Sequence, residues 1–200
     1  MTTSRSTPRV RLMAAVFLLA VVLVAVSQRD VLDGAIGRLA QIAGLACIVV
    51  AALWRIWTSL FVAGSKDTTL ATVGPYAACR HPLYAGSLLA ALGLGMATRS
   101  VTLTLLVTAV SAFLHARAIA AEDAFLQERH GAAHDAYRRN VPALWPDWRG
   151  YSVPDSLTVR PRILVKAFFD AGSIVSAWAL VQVADLLQAS GVTPTFFALP

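Results

Sequence analysis

Two polar clusters interrupt a sequence that is otherwise poor in charge. The first is Gly74-Pro75-Tyr76-Ala77-Ala78-Cys79-Arg80-His81-Pro82-Leu83-Tyr84-Ala85-Gly86. Gly74-Pro75 marks a turn. Pro82 pushes His81 out of the α region and suits the first position of a helix. His81 is thereby placed at the cap of a helix, where unpaired backbone N–H groups and the positive dipole end favour an anion such as a ligand carboxylate. Tyr84 adds a phenol one turn inside, and Tyr76 and Arg80 precede it. The second cluster is Arg117, Glu122, Asp123, Glu128 and Arg129. Carboxylates and aromatic faces stabilise a positive group, so the two clusters together suit a zwitterion or a cation. Neither cluster has metal-ligand spacing, and no CxxC or paired Cys/His pattern suggests zinc.

Whether the clusters meet depends on the elements that carry them. The chain has 200 residues, of which 57% are hydrophobic and 14% charged. A soluble domain is about 45–50% apolar and about 25% charged, so this composition excludes an ordinary soluble domain and a disordered chain. With a mean hydropathy of +0.64 it predicts an all-α polytopic membrane bundle. Charge-free runs cover 12–28, 39–54, 82–98, 100–116 and 171–184. A span needs roughly 20 residues, and the first four runs reach this once flanking Arg and Lys side chains snorkel. The fifth, a C-terminal helix, crosses only if Asp170 lies near the headgroups. The first run also resembles a signal peptide ending at Ala25-Val26-Ser27, although an uncleaved span is the expected reading.

The spans at 82–98 and 100–116 are joined by a turn at Arg99 and must be antiparallel neighbours. That returns Glu122 to the side of His81 and Tyr84. With the N-terminal tail in the cytoplasm, 14 of the 17 Lys and Arg fall on the inner side, leaving Arg29, Arg38 and Arg99 outside. The formal net charge of +6 is then a positive-inside bias and not a nucleic-acid signal. Small residues make stripes at Gly37, Ala40, Gly44, Cys47 and Ala51, and at Gly86, Ala90, Gly93 and Ala97. Such stripes let membrane helices approach closely.

The remaining polar residues have plainer readings. Residues 117–140 read as a helix leaving the membrane, and 141–162, with four prolines, as an irregular interfacial segment with Trp145, Trp148 and Tyr151 at headgroup depth. His130 and His134 read as solvated surface residues. Asp170 is interfacial or paired with Lys166. His115 and Arg80 read equally as interfacial groups or site residues. Cys79 is a passive small residue.

The run GPYAACRHPLYAG resembles the GPY–RHPxYxG signature of the isoprenylcysteine carboxyl methyltransferase and phospholipid methyltransferase group. The later stretch Glu122-Asp123-Ala124-Phe125-Leu126, then His130-Gly131, Tyr137 and Val141-Pro142, resembles that family's second pattern, and the likeness spans about residues 36–145. The resemblance implies an integral membrane methyltransferase that uses S-adenosyl-L-methionine. It implies that Tyr76, His81, Pro82, Leu83 and Tyr84, an upstream Thr69-Leu70 and the acid Glu122 bind the cofactor. It also implies that Arg117 and Glu122 act in catalysis, with the register of Arg117 open by one residue. His134 stands where the family has a Tyr, and 146–200 exceeds the usual core. The expected organisation is a core over 1–145, with an interfacial segment and a C-terminal helix over 146–200 in the same domain. The expected acceptor is lipidic or apolar: a carboxylate, an amine or a thiol. It reaches a cytoplasm-facing pocket from the bilayer, and the expected location is a bacterial inner membrane. A membrane reductase of the sterol reductase type using NADPH and a non-catalytic membrane subunit are the competing readings. The oligomeric state is open.

Overall fold

A computed structural model describes residues 32–62 and 70–192, and by backbone alone the segments 27–28 and 197–198. The predicted first span and Thr69 lie outside the described residues. The described chain is helical: α1 (Gly34–Val62), α2 (Pro75–Ala78), α3 (Pro82–Ala97), α4 (Val101–His130), α5 (Ala132–Asn140), a 3-10 turn (Trp148–Gly150) and α6 (Pro161–Ala189). Ser27–Gln28 and Phe197–Ala198 form a two-residue parallel pair, a small departure from the expected all-α chain.

Three described helices, α1, α4 and α6, are long and apolar enough to cross a membrane. Their outer faces carry exposed Leu39, Leu53, Leu105, Phe113, Phe169 and Leu186, as lipid contact requires. The predicted span at 82–98 is instead a helix of 16 residues. At 1.5 Å per residue it is about 24 Å long, roughly 6 Å short of a hydrocarbon core. The segment before it, which holds the short α2, is enclosed by protein. Residues 74–79 are buried, and the chain after α5 takes their backbone groups. Gly74 N–H donates to Ser152 O at 2.7 Å, Arg80 N–H to Pro142 O at 2.8 Å, and His81 N–H to Ala143 O at 3.0 Å. Asp147 N–H donates to Ala78 O at 2.9 Å. Backbone groups so enclosed must find their partners within the protein. Residues 141–152 are therefore a strap bonded to the first polar cluster, more ordered than the interfacial segment expected there.

The doubtful C-terminal helix is continuous over 29 residues. The charge that made it doubtful is neutralised in place: Asp170 Oδ2 is 2.7 Å from Lys166 Nζ and 3.0 Å from Arg55 Nη2. The expected single helix over 117–140 is broken at Gly131, whose φ of 49° ends α4 and starts α5 in a new direction. That bend carries His134 and Tyr137 back to the site.

α3 lies at the centre, packed on α1, α4 and α6. Ile48, Leu94, Ala97, Leu103, Ala177, Val181 and Ala184 form the core at its Arg99 end. The two small stripes meet there, with Gly44 and Gly93 facing each other across the α1–α3 contact. Ser100 caps α4 by accepting from Leu103 N–H at 3.2 Å. The turn before it places Arg99 at a φ of 58°.

Candidate functional site

α3 begins at Pro82 with His81 as N-cap, and no side chain caps its first turn. Pro82 has no N–H and Tyr84 N–H bonds back to His81 O at 3.1 Å, so Leu83 N–H is the donor of that turn without a backbone partner among the described residues. His81 is 3% exposed and its Nε2 lies 2.9 Å from Asp123 Oδ1. Its Nδ1 lies 3.7 Å from Glu122 Oε2. Arg80 Nη1 donates to both Asp123 oxygens, at 3.1 and 3.0 Å, and Arg80 Nε donates to Val141 O at 3.1 Å. The two clusters that the turn at Arg99 was expected to unite are thus joined by a nearly buried ion pair and a histidine bridge.

The two acids differ in what they face. Asp123 is spent on structure, its side chain 14% exposed between Arg80 and His81. Glu122 keeps 45% of its side chain exposed while Tyr84 hydrogen-bonds it and His81 stands beside it. An open carboxylate beside an uncapped helix start offers separate places for a cation and an anion.

Tyr76 and Tyr137 brace this wall. Tyr137 Oη donates to Tyr76 O at 2.6 Å. Burial, with the charge of Glu122 adding to it, pushes the Tyr76 hydroxyl up, and burial does the same to Tyr137, so both remain protonated donors at neutral pH. Burial also pushes the Cys79 thiol up to about 11, only partly offset by the backbone N–H of His81. Cys79 is fully buried, so it is expected to resist maleimide at neutral pH until the protein is unfolded in detergent. Peptide mass spectrometry reads this directly, and rapid labelling of native protein would contradict the packing.

The predicted residues are not all brought together. Pro82 is buried, and Leu83 and Tyr84 are half-buried in the first turn of α3. Leu70 is half-buried in the segment before α2. Arg117 departs from expectation. It is exposed, with its guanidinium 5.9 Å from the Phe113 ring centroid. At about 100° per residue it lies roughly 140° around α4 from Glu122, facing away from the cluster.

Other residues join the cluster, His134 against expectation. His134, read as a surface residue, is fully buried, with Nδ1 2.8 Å from Gln127 Oε1 and Nε2 3.6 Å from Asp123 Oδ1. Arg80 is tied to the cluster by its pair with Asp123. His115 is 3% exposed, its ring 5.3 Å from that of Tyr84. Trp54 Nε1 donates to Pro82 O at 2.7 Å and ties α1 to α3, while Trp57 stacks on Trp148 at 6.2 Å and ties α1 to the strap. The opposite charges of Arg80 and Asp123 were the one signal in the sequence that could have found this pairing.

The phospholipid methyltransferase family pattern matches residues 39–133, which take in most of α1 and all of α2, α3 and α4. The cobalt-zinc-cadmium resistance protein CzcN of Cupriavidus metallidurans is 31% identical over 149 residues, which cover 74% of this chain and 68% of that protein. The nickel-cobalt-cadmium resistance protein NccN of Alcaligenes xylosoxydans xylosoxydans is 30% identical over 157 residues, covering 78% of this chain and 73% of that protein. No solved structure matches the chain. The matched stretch contains both polar clusters, and the chain belongs to the phospholipid methyltransferase family.

Proposed function

We propose that the chain is a membrane methyltransferase that takes its methyl group from S-adenosyl-L-methionine and passes it to a lipidic or apolar acceptor. The observation that carries this reading is the open carboxylate of Glu122 set beside the uncapped start of α3. The amino-acid end of the cofactor has a carboxylate and an ammonium, and this donor set fits both. The N–H of Leu83 in the first turn, with the positive end of the helix dipole, would hold the carboxylate. Glu122 would hold the cationic side, with Tyr84 and His81 keeping it in place. Tyr76, Pro82, Leu83 and Leu70 would line the adjoining wall, and Thr69 belongs to the same upstream element by resemblance.

Bound, the cofactor supplies a methyl group on a sulfonium, already activated for in-line displacement. The protein's task is to align the partners and exclude water. Asp123, Arg80 and His134 contribute by fixing His81 and α4. Arg117 faces away from the cluster and has no part in this assignment.

Among the described basic residues, Arg38 and Arg99 sit at one end of the bundle, while Arg80, Arg129, Arg138, Arg139 and Arg149 sit at the site end. This favours a cytoplasmic site in a bacterial inner membrane. The acceptor then enters from the bilayer. The strap and α6 pack on the core, which supports one domain throughout. CzcN and NccN are named for metal resistance, and a methyl transfer serving such a response is part of the proposal for this chain.

The test is incubation of membranes, with and without the protein, with methyl-labelled S-adenosyl-L-methionine. Label is expected in an organic-extractable product only when the protein is present. Equal labelling in both would overturn the assignment.

A further inference from the structure

We propose that His115 is the proton acceptor of the reaction, and that the methyl acceptor arrives protonated, as an apolar thiol or a lipid ammonium. This rests on the reading above and goes beyond it by naming the acceptor's chemistry.

His115 stands seven residues before Glu122 on α4, so it lies on the same face about 10 Å further along the helix, toward the membrane interior. Tyr84 connects the two positions, its ring 5.3 Å from His115 and 5.9 Å from His81. The tautomer is fixed by geometry. His115 Nδ1 is 2.7 Å from Ser111 O, a carbonyl that can only accept, so Nδ1 carries the proton and Nε2 the lone pair. Among the described residues Nε2 has no hydrogen-bond partner. A buried ring beside Tyr84 whose second nitrogen keeps its lone pair is equipped to take a proton.

The cations nearby point the same way. A carboxylate acceptor needs no base, but it needs a positive group to hold it. Arg55, on the neighbouring α1, is closed on Asp170 at 3.0 Å and reaches Ser87 Oγ at 3.4 Å. Arg80 is closed on Asp123, and Arg117 lies on the other face of α4. A nucleophile that must lose a proton fits this neighbourhood; a carboxylate does not. In the step, the acceptor's lone pair forms the bond to the methyl carbon as the donor's carbon–sulfur bond breaks, its electron pair staying on sulfur. The acceptor's proton passes to Nε2, before attack for an ammonium and with it for a thiol. The imidazolium later releases that proton to water.

His115→Asn tests this, because an asparagine amide can keep the N–H to Ser111 O while deleting Nε2. S-adenosylhomocysteine should bind within about threefold of the wild-type affinity, while methylation of decanethiol or decylamine falls about a hundredfold or more. Decanoate should not be methylated by the wild type. A ¹⁵N spectrum of histidine-labelled protein, with the signal that His115→Asn removes, should show Nδ1 protonated and Nε2 bare. Near-wild-type turnover in His115→Asn, methylation of decanoate, failure to methylate any of the three probes, or a protonated Nε2 would each overturn the inference. If the variant fails to fold, the tautomer observed in the wild type decides. Wild-type protein that does not bind S-adenosylhomocysteine would instead overturn the methyltransferase reading itself.

Discussion

Asp123→Ala is expected to cost about 3–5 kcal/mol of stability, the scale on which removing one partner of a buried ion pair destabilises a protein. The pair is well enclosed, with Arg80 9% and Asp123 14% exposed. Asp123 also receives His81 Nε2 and faces His134 at 3.6 Å. Deleting it leaves a guanidinium with half its partners gone, and frees two histidines that hold α5 and the strap to α4. Thermal unfolding in detergent reads the effect. Arg80→Met combined with Asp123→Leu should lose less than Asp123→Ala alone, because it leaves no buried charge behind. A loss below about 1 kcal/mol for Asp123→Ala would show that the pair contributes as a surface bridge does.

Substitution at the α1–α3 crossing is expected to act as strongly, by a different cause. A Cβ on Gly93 would stand 2.7 Å from Gly44 O and 2.8 Å from Cys47 Cβ. A Cβ on Gly44 would stand 2.7 Å from Gly93 O and 3.0 Å from Ala97 N. These obstacles are mostly backbone, so the helices themselves must separate. Gly93→Ala is expected to cost about 1–3 kcal/mol, and Gly93→Leu more. Because α3 carries His81 and Tyr84, Gly93→Leu should also displace the site and abolish cofactor binding. Gly172→Ala on α6 is the control, since its Cβ would meet nothing within 4 Å. It should be neutral or stabilising by about 0.5–1 kcal/mol. Equal stability of Gly93→Leu and Gly172→Ala would contradict the close crossing.

These two results separate what the sequence makes legible from what it does not. The glycine stripes announce themselves by helical spacing, and the crossing they predict is the one found at Gly44 and Gly93. The short turn at Arg99 obliges α3 and α4 to be neighbours, so the meeting of His81 with Glu122 could be read in advance. The roles of individual polar residues could not. Asp123 and Glu122 look alike in sequence, and only three-dimensional packing commits one to Arg80 and leaves the other open. His134 looks solvated because its helix is polar; the bend at Gly131 buries it. The length of α6 was hidden because the partner that neutralises Asp170 lies 115 positions away on α1. Arg117 fits the motif by order, but helix periodicity turns it outward.

The central claim is that the start of α3 and Glu122 bind the methyl donor. Titration calorimetry of the purified protein in detergent or nanodiscs, with S-adenosylhomocysteine and separately with NADPH, tests it most directly. The account predicts binding of S-adenosylhomocysteine, weakened by about 1–3 kcal/mol, or roughly tenfold or more, in both Glu122→Gln and His81→Ala. Binding of NADPH with none of S-adenosylhomocysteine would contradict it, and so would an affinity that neither substitution changes.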